Sequence, residues 1–496
     1  MICATLVGAV ALGALVVDLA GAPLPAGPQG SGHPASPINA DFPGLTTFRG
    51  NASRTYLGRG PVPTDPVIRW VYPPGGAKLC SLSAEGRDAT EMKEWCGTGW
   101  TGQPNVVPGE DGMQVRIGAF DGAYHFLDAG TGGVVIPPLQ TGDLAKGSAT
   151  TDPAGFPLYY AGSRDNIFRV VALDRQEPTV LWELDAQDVR CPGGCWNDDW
   201  DGAALVVGDH LLEGGENGWF YVVRLHRAYD SFGQVVVDPE VLRFAGYDDQ
   251  LFQDLGGPDA VIDGVSLYDV SIEDSPVFSD GVVYFANSGG LVQGWDISDV
   301  LAGGDSFERV FRFWTGDDTD ATMVMDDEGY LYVASELQRF NDRSRELGQL
   351  MKLDPRRPND PVVWSLSASE IGFQGAGGSW STPALHGDSV LFTTAAGRLL
   401  SVDRETGGIA WELQVGSPTI TSPVVLGDTL VQGDCTGHLY AWDLADPTQP
   451  PPLLWNLDLG DCIESTPAVW DGWLYVGTRE GFIYGVADRE TPAPTG

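Results

Sequence analysis

Apolar and polar positions along this chain alternate in short runs separated by glycine and aspartate, and the runs recur. In register they read Ser275-Pro276-Val-Phe-Ser-Asp-Gly-Val-Val-Tyr-Phe, Thr382-Pro383-Ala-Leu-His-Gly-Asp-Ser-Val-Leu-Phe, Ser422-Pro423-Val-Val-Leu-Gly-Asp-Thr-Leu-Val and Thr466-Pro467-Ala-Val-Trp-Asp-Gly-Trp-Leu-Tyr-Val. Each copy predicts a strand, a tight Gly/Asp turn and a second strand. A unit of short strands repeating every ~40–50 residues is the signature of a β-propeller blade.

Each copy then runs through another turn into a third strand ending in aspartate and a fourth strand bearing tryptophan. The fullest version is Gly397-Arg-Leu-Leu-Ser401-Val-Asp403-Arg-Glu-Thr406-Gly407-Gly-Ile-Ala-Trp411. It resembles the tryptophan-docking motif Ala-x-Asp-x-x-Thr-Gly-x-x-x-Trp of pyrroloquinoline-quinone (PQQ) repeat proteins, with serine in place of the leading alanine. Asp128, Thr131 and Gly132 keep the motif while Ile136 stands where tryptophan belongs. Trp182, Trp364 and Trp455 follow Asp174, Asp354 and Asp443, and Trp314 follows Asp296. The tryptophans 314, 364, 411 and 455 are 50, 47 and 44 residues apart, so insertions shrink toward the end of the chain. A flat indole packed between blades supplies apolar contact that no blade buries alone, which makes these tryptophans structural.

Fourth-strand positions at Trp70, Ile136, Trp182, near Phe244, Trp314, Trp364, Trp411 and Trp455 number eight, and the chain ends on a unit with three strands. The strand around Trp70 supplies the missing one and leaves no free sheet edge. The expected fold is all-β: an eight-bladed propeller of four-stranded antiparallel blades, its ring closed by an N-terminal strand. Residues 1–22 read as a signal peptide or N-terminal anchor, 23–45 as a flexible linker, 46–490 as one propeller domain and 491–496 as a tail.

Composition narrows the setting. A net charge of −40 repels nucleic acid and anionic membranes, so neither is an expected partner, and membrane contact is expected only through the N-terminal segment. Four of the 28 cationic residues are lysine. Setting Cys3 aside leaves an even six cysteines, which fit an exported, extracytoplasmic protein and pair in order: Cys80 with Cys96, Cys191 with Cys195, Cys435 with Cys462. Cys191-Pro-Gly-Gly-Cys195 read as a redox or metal pair is the alternative, without a second pair or nearby histidine for zinc.

The six histidines have no metal-like spacing, and no nucleophile elbow, phosphate loop or zinc-protease helix occurs. Carboxylates gather instead where inner strands begin: Asp198, Asp199 and Asp201, Glu273 and Asp274, Asp317, Asp318 and Asp320, then Asp434, Asp461 and Glu464. Inner strands line a propeller's channel, so these acids are expected on one rim, with Asn197, Asp199, Asp201 and Asp318 as a candidate Ca²⁺ set. Aspartate and asparagine also suit turns into strands, which alone accounts for their recurrence at these places. Arg164 and Arg169 are rare cations able to pair with that rim, and the long segment from Lys78 to Gln103 is a candidate partner loop.

Within the resemblance, PQQ-dependent dehydrogenases hold a quinone and Ca²⁺ in the funnel and use a carboxylate base in a Trp-Asp motif, which implies Asp201 as base beside Trp200. An adjacent Cys-Cys pair and a Gly-Asn-x-x-Pro-Trp segment are missing from this chain. The other branch of the resemblance, including the outer-membrane assembly lipoprotein, holds the fold without cofactor and presents a face to a protein partner. The expectation is therefore a non-catalytic binding or scaffold module, with no cofactor beyond a possible Ca²⁺, and a PQQ- and Ca²⁺-dependent alcohol or sugar dehydrogenase as the alternative. A carbohydrate-active propeller with two acid/base carboxylates finds no distinctive acid pair in the spacing.

Overall fold

The computed structural model describes residues 44–495 apart from 85, 87–88, 101, 190, 192–194, 196, 248–249, 251–260, 263–264, 267–269 and 417. The expected leader and most of the linker lie outside these residues. Among them no helix is long and apolar enough to cross a membrane.

Eight antiparallel sheets follow one another in chain order, each built in the sequence inner strand to outer strand. Blade 1 consists of Asn105–Pro108, Met113–Ala119, Ala123–Asp128 and Val134–Gln140. Blades 2 to 7 occupy 150–185, 205–245, 277–314, 324–366, 384–414 and 424–458. Blade 8 combines Ala468–Trp470, Trp473–Thr478 and Phe482–Asp488 with the N-terminal strand Pro66–Tyr72, which pairs with Phe482–Asp488. The ring is therefore an eight-bladed propeller closed by its N-terminal strand, as the repeat pattern predicts. Closure removes the edges that an open sheet would expose.

The third strand's aspartate makes the turn that follows it. Thr406 donates from its backbone N and its Oγ1 to Asp403 Oδ1, and Thr131 does the same to Asp128. This self-contained turn brings a glycine, Gly407 or Gly132, into positive φ (73° and 70°) beneath the indole of the preceding blade. Trp364 Nε1 donates to Arg404 O and Trp70 Nε1 to Ala129 O, so each indole pins its blade to the next. Trp455 donates to Pro63 O, and Trp411 and Trp182 sit in the apolar clusters of their blade interfaces.

Blade 4 departs from the expected position. Trp411 faces Ser401, two residues before Asp403; the equivalent partner in blade 4, Gly294, faces Phe311. A bulge follows both pairs at the same place. Phe311 is buried there, and Trp314 lies three residues further along the same strand, opposite Leu291, with its Nε1 bonded to Gly289 O. In blade 3 the facing residue is Leu242, opposite Val222, while Phe244 stacks on Phe220 and Trp295. Counting tryptophans cannot detect a three-residue offset; the strand register does.

The segment from Leu45 to Arg59 has no counterpart in the repeats. Leu45 exchanges both backbone bonds with Val106 of blade 1, so the folded unit begins ahead of residue 46. Thr46 O accepts from Thr151 N in blade 2, and Thr47 Oγ1 donates to Ala204 O in blade 3. Ala52 O and Ser53 O accept from Phe278 N and Met325 N in blades 4 and 5, and Arg49 donates to Thr382 O and Pro383 O in blade 6. Leu57 packs with Val424 and Val425 of blade 7, and Gly58–Arg59 form a parallel ladder with Val469–Trp470 of blade 8. A segment held in every blade by the inner strand or by the residues leading into it lies at the centre of the ring. It is a strap that ties all eight blades together at the centre of the ring.

Candidate functional site

Arg49 and Arg54 anchor the strap, both fully buried. Arg54 donates to Pro276 O, Ala203 O and Phe48 O, and faces Glu213 and Asp274. Burial pulls both guanidinium values down to about 9, so both remain charged at neutral pH. Neither Glu213 oxygen has a hydrogen-bond partner, and burial raises its carboxyl and that of Asp274 well above the usual range.

Beside the strap the predicted acids do converge, but in two groups. Asp199, Asp201 and Glu216 form one; Asp318, Asp320 and Glu336 form the other, the ligand atoms of each lying within 4.8 Å of one another. Half-buried Glu273 stands between them and acts electrostatically on Glu216 and on Asp320. The expected set of Asn197, Asp199, Asp201 and Asp318 is thus divided: Asn197 Nδ2 donates to Asp199 Oδ2 at 3.4 Å, whereas Asp318 belongs to the second group. The cause is the ring geometry, since Asp318 opens blade 5 and Asp199 opens blade 3.

The first group already holds a cation of the chain's own. Lys146 Nζ lies 2.5 Å from Asp201 Oδ2, 3.3 Å from Asp199 Oδ2 and 3.8 Å from Glu216 Oε1. Arg164 Nε adds a contact of 3.4 Å to Asp199. Burial and the neighbouring Asp201 raise Asp199 to about 7 in spite of the ammonium, and Glu216 is raised well above its usual range by burial and by Asp199. Arg169 does not reach this rim; it pairs with Asp165 in its own strand turn. Asp434 turns its carboxylate on Thr436 and Gly416, and Glu464 is bonded by Arg479.

In the second group Asp318 Oδ2 receives Arg339 Nη2 at 3.1 Å and Gln338 Nε2, and Asp320 Oδ1 accepts from Ser288 Oγ at 3.0 Å. Both oxygens of buried Glu336 lack any hydrogen-bond donor. Asp320 and Glu336 are both raised well above the carboxylate range by burial first and by their acidic neighbours second.

The segment from Lys78 to Gln103 reaches over this side of the ring. Cys80 is joined to Cys96 across the hairpin Cys80–Ala84 and Met92–Cys96. Trp95 packs edge-on to Phe120 beneath the guanidinium groups of Arg164 and Arg479, and Trp100 Nε1 donates across the ring to Trp380 O. The other pairs, Cys191 with Cys195 and Cys435 with Cys462, also form disulfides. Asn217 and Asn287 serve turns: Asn217 Nδ2 reaches Ala186 O and Tyr221 Oη, and Asn287 Nδ2 reaches Gly246 O.

Sequence reasoning missed Lys146, Glu216, Glu336 and Arg339. Glu216 stands in the segment Gly214-Gly-Glu216-Asn217-Gly218, whose composition signals a turn and not a ligand. The scarcity of lysine was the available signal for Lys146.

Fit to a quinone cofactor can be judged from the donors present. Asp201, the implied base, is 2% exposed and ion-paired, and Trp200 is a core side chain whose Nε1 bonds Asn166 O. PQQ carries three carboxylates, and the buried acids around Asp201 would oppose them. These residues do not fit the quinone. A hard cation suits the oxygen donors of the second group.

Comparison with known proteins agrees with the ring. Residues 346–458 match the sequence model of the family described as outer membrane protein assembly factor BamB. No curated protein matches the chain. Among solved structures, BamB from Moraxella catarrhalis is similar at 17% identity, covering 77% of this chain and 95% of its own, with a TM-score of 0.51. The quinohemoprotein alcohol dehydrogenase of Comamonas testosteroni is similar at 14% identity over 91% of this chain and 82% of its own, TM-score 0.57. A europium-containing methanol dehydrogenase is similar at 12% identity over 91% and 99%, TM-score 0.55. At these identities the likeness is one of fold. The protein is an eight-bladed β-propeller, an architecture shared by an assembly factor and by dehydrogenases, and within it residues 346–458 match the assembly-factor model.

Proposed function

We propose that this protein is an exported, non-catalytic propeller that works as a binding or scaffold module for a protein partner. The observation that carries the reading is the pairing of Asp201 with Lys146 at 2.5 Å, which commits the implied base to an internal ion pair. The strap along the axis and the hairpin over the acidic side support it further, because both occupy space a substrate would need. The hairpin supplies a partner-facing surface: Leu82 and Met92 are 63% and 54% exposed on a disulfide-held element. Three disulfides favour an oxidising compartment outside the cytoplasm.

The alternative, a quinoprotein dehydrogenase with Asp201 as base, draws on the fold likeness to the two dehydrogenases. Calorimetric titration of metal-stripped protein with PQQ, with and without Ca²⁺, decides between them. No quinone uptake is expected. Stoichiometric, Ca²⁺-dependent uptake would overturn the scaffold reading and make Asp201→Ala with an alcohol panel the next experiment.

A further inference from the structure

The two acidic groups are near copies in composition but differ in what neutralises them. Lys146 places one ammonium within 3.8 Å of all three carboxylates of the first. In the second, Arg339 reaches Asp317 and Asp318, and among the described residues no lysine or arginine pairs with Asp320 or Glu336. Glu336 is 1% exposed, and neither of its oxygens meets a donor. An unpaired buried carboxylate costs several kcal/mol, so the group must bind a proton or a cation.

We propose that Asp318, Asp320 and Glu336 form a binding site for a hard divalent cation, Ca²⁺ foremost. The backbone sets the site rigidly. Glu336 N donates to Asp318 O at 2.8 Å, and Glu336 lies in a ladder opposite Gly378. The two aspartates are anchored through Ser288 and through Arg339 and Gln338. The ligand atoms lie within 4.8 Å of one another, close enough for all three carboxylates to reach one Ca²⁺ ion at bond lengths of about 2.4 Å. The site is distinct from the Asp201 group and independent of the scaffold reading, since it needs no quinone.

The test is calorimetric titration of the metal-stripped full chain with CaCl₂ at pH 7 without PQQ, alongside thermal unfolding with and without Ca²⁺. One Ca²⁺ per chain, a rise in Tm, and at least tenfold weaker binding in Glu336→Gln are expected, with Glu464→Gln unchanged. Absence of both heat and Tm shift at millimolar Ca²⁺ overturns the proposal, as does wild-type affinity in Glu336→Gln. If that variant does not fold, Asp320→Asn carries the same comparison.

Discussion

Trp364 of blade 5 lies against Gly407 of blade 6, where a Cβ would stand 2.7 Å from the indole Cγ. The same relation joins Trp70 to Gly132 across the ring closure. The Thr-Gly of the repeat motif is therefore the seat of the neighbour's tryptophan, which explains why the two travel together in sequence.

Replacing Gly407 with alanine should lower stability by about 1–3 kcal/mol through overpacking, plus about 1 kcal/mol for a non-glycine residue at positive φ. Gly387→Ala isolates the second contribution, because Gly387 has φ 54° and no atom within 4 Å of its Cβ position. Equal losses in urea unfolding of the two variants would refute the docking account.

Arg54→Met should cost about 3–5 kcal/mol. It leaves the carbonyls of Ala203 and Pro276 without their donor and Glu213 and Asp274 without their nearest cation. Chemical unfolding reads the loss, and near-native stability would mean that the strap is held by its backbone alone.

Stability should fall as pH rises above neutrality. Glu213, Glu216 and Asp274 are raised well above their usual values and Asp199 to about 7, so the native state keeps protons that the unfolded chain releases above about pH 4. That stabilisation is complete at low pH and is lost as pH climbs through the folded values. Asp165 and Asp488 are lowered and act oppositely, their contribution disappearing below about pH 4. Calorimetry at low salt should give a higher Tm at pH 5 than at pH 8, and a flat or rising profile would contradict the assignment.

Lys146→Met removes the ammonium from Asp199, Asp201 and Glu216. The lysine side chain is 22% exposed, which tempers the loss to about 2–4 kcal/mol at pH 7. The deficit relative to wild type should narrow at pH 5, as the freed carboxyls take up protons. A pH-independent deficit would indicate lost packing instead.

Blade 6 was almost fully legible: within fifteen residues Asp403, Thr406 and Gly407 specify the turn that seats Trp364 of the preceding blade, and Trp411 is the indole of blade 6 itself. The blade 4 position was not, because the register Gly294–Phe311 depends on where a bulge falls, and Trp314 offered a more conspicuous residue. The acidic side was half legible. Asp199, Asp201 and Asp318 open inner strands and could be placed on one rim, whereas Lys146, Glu216 and Glu336 come from other turns that only the ring brings near. The strap was invisible, since Leu45 to Arg59 follows no period of two and takes its conformation from eight separate blades.

That strap also sets an order of events in folding. Arg49 waits for Thr382, 333 residues later, and the strand of Trp70 waits for Phe482–Asp488 at the far end of the chain. The earliest folded residues to be synthesised are thus among the last to find partners. Contacts of such long range make for slow folding, on millisecond-to-second scales or beyond. Until synthesis is complete, a nascent ring remains open both at its rim and along its axis.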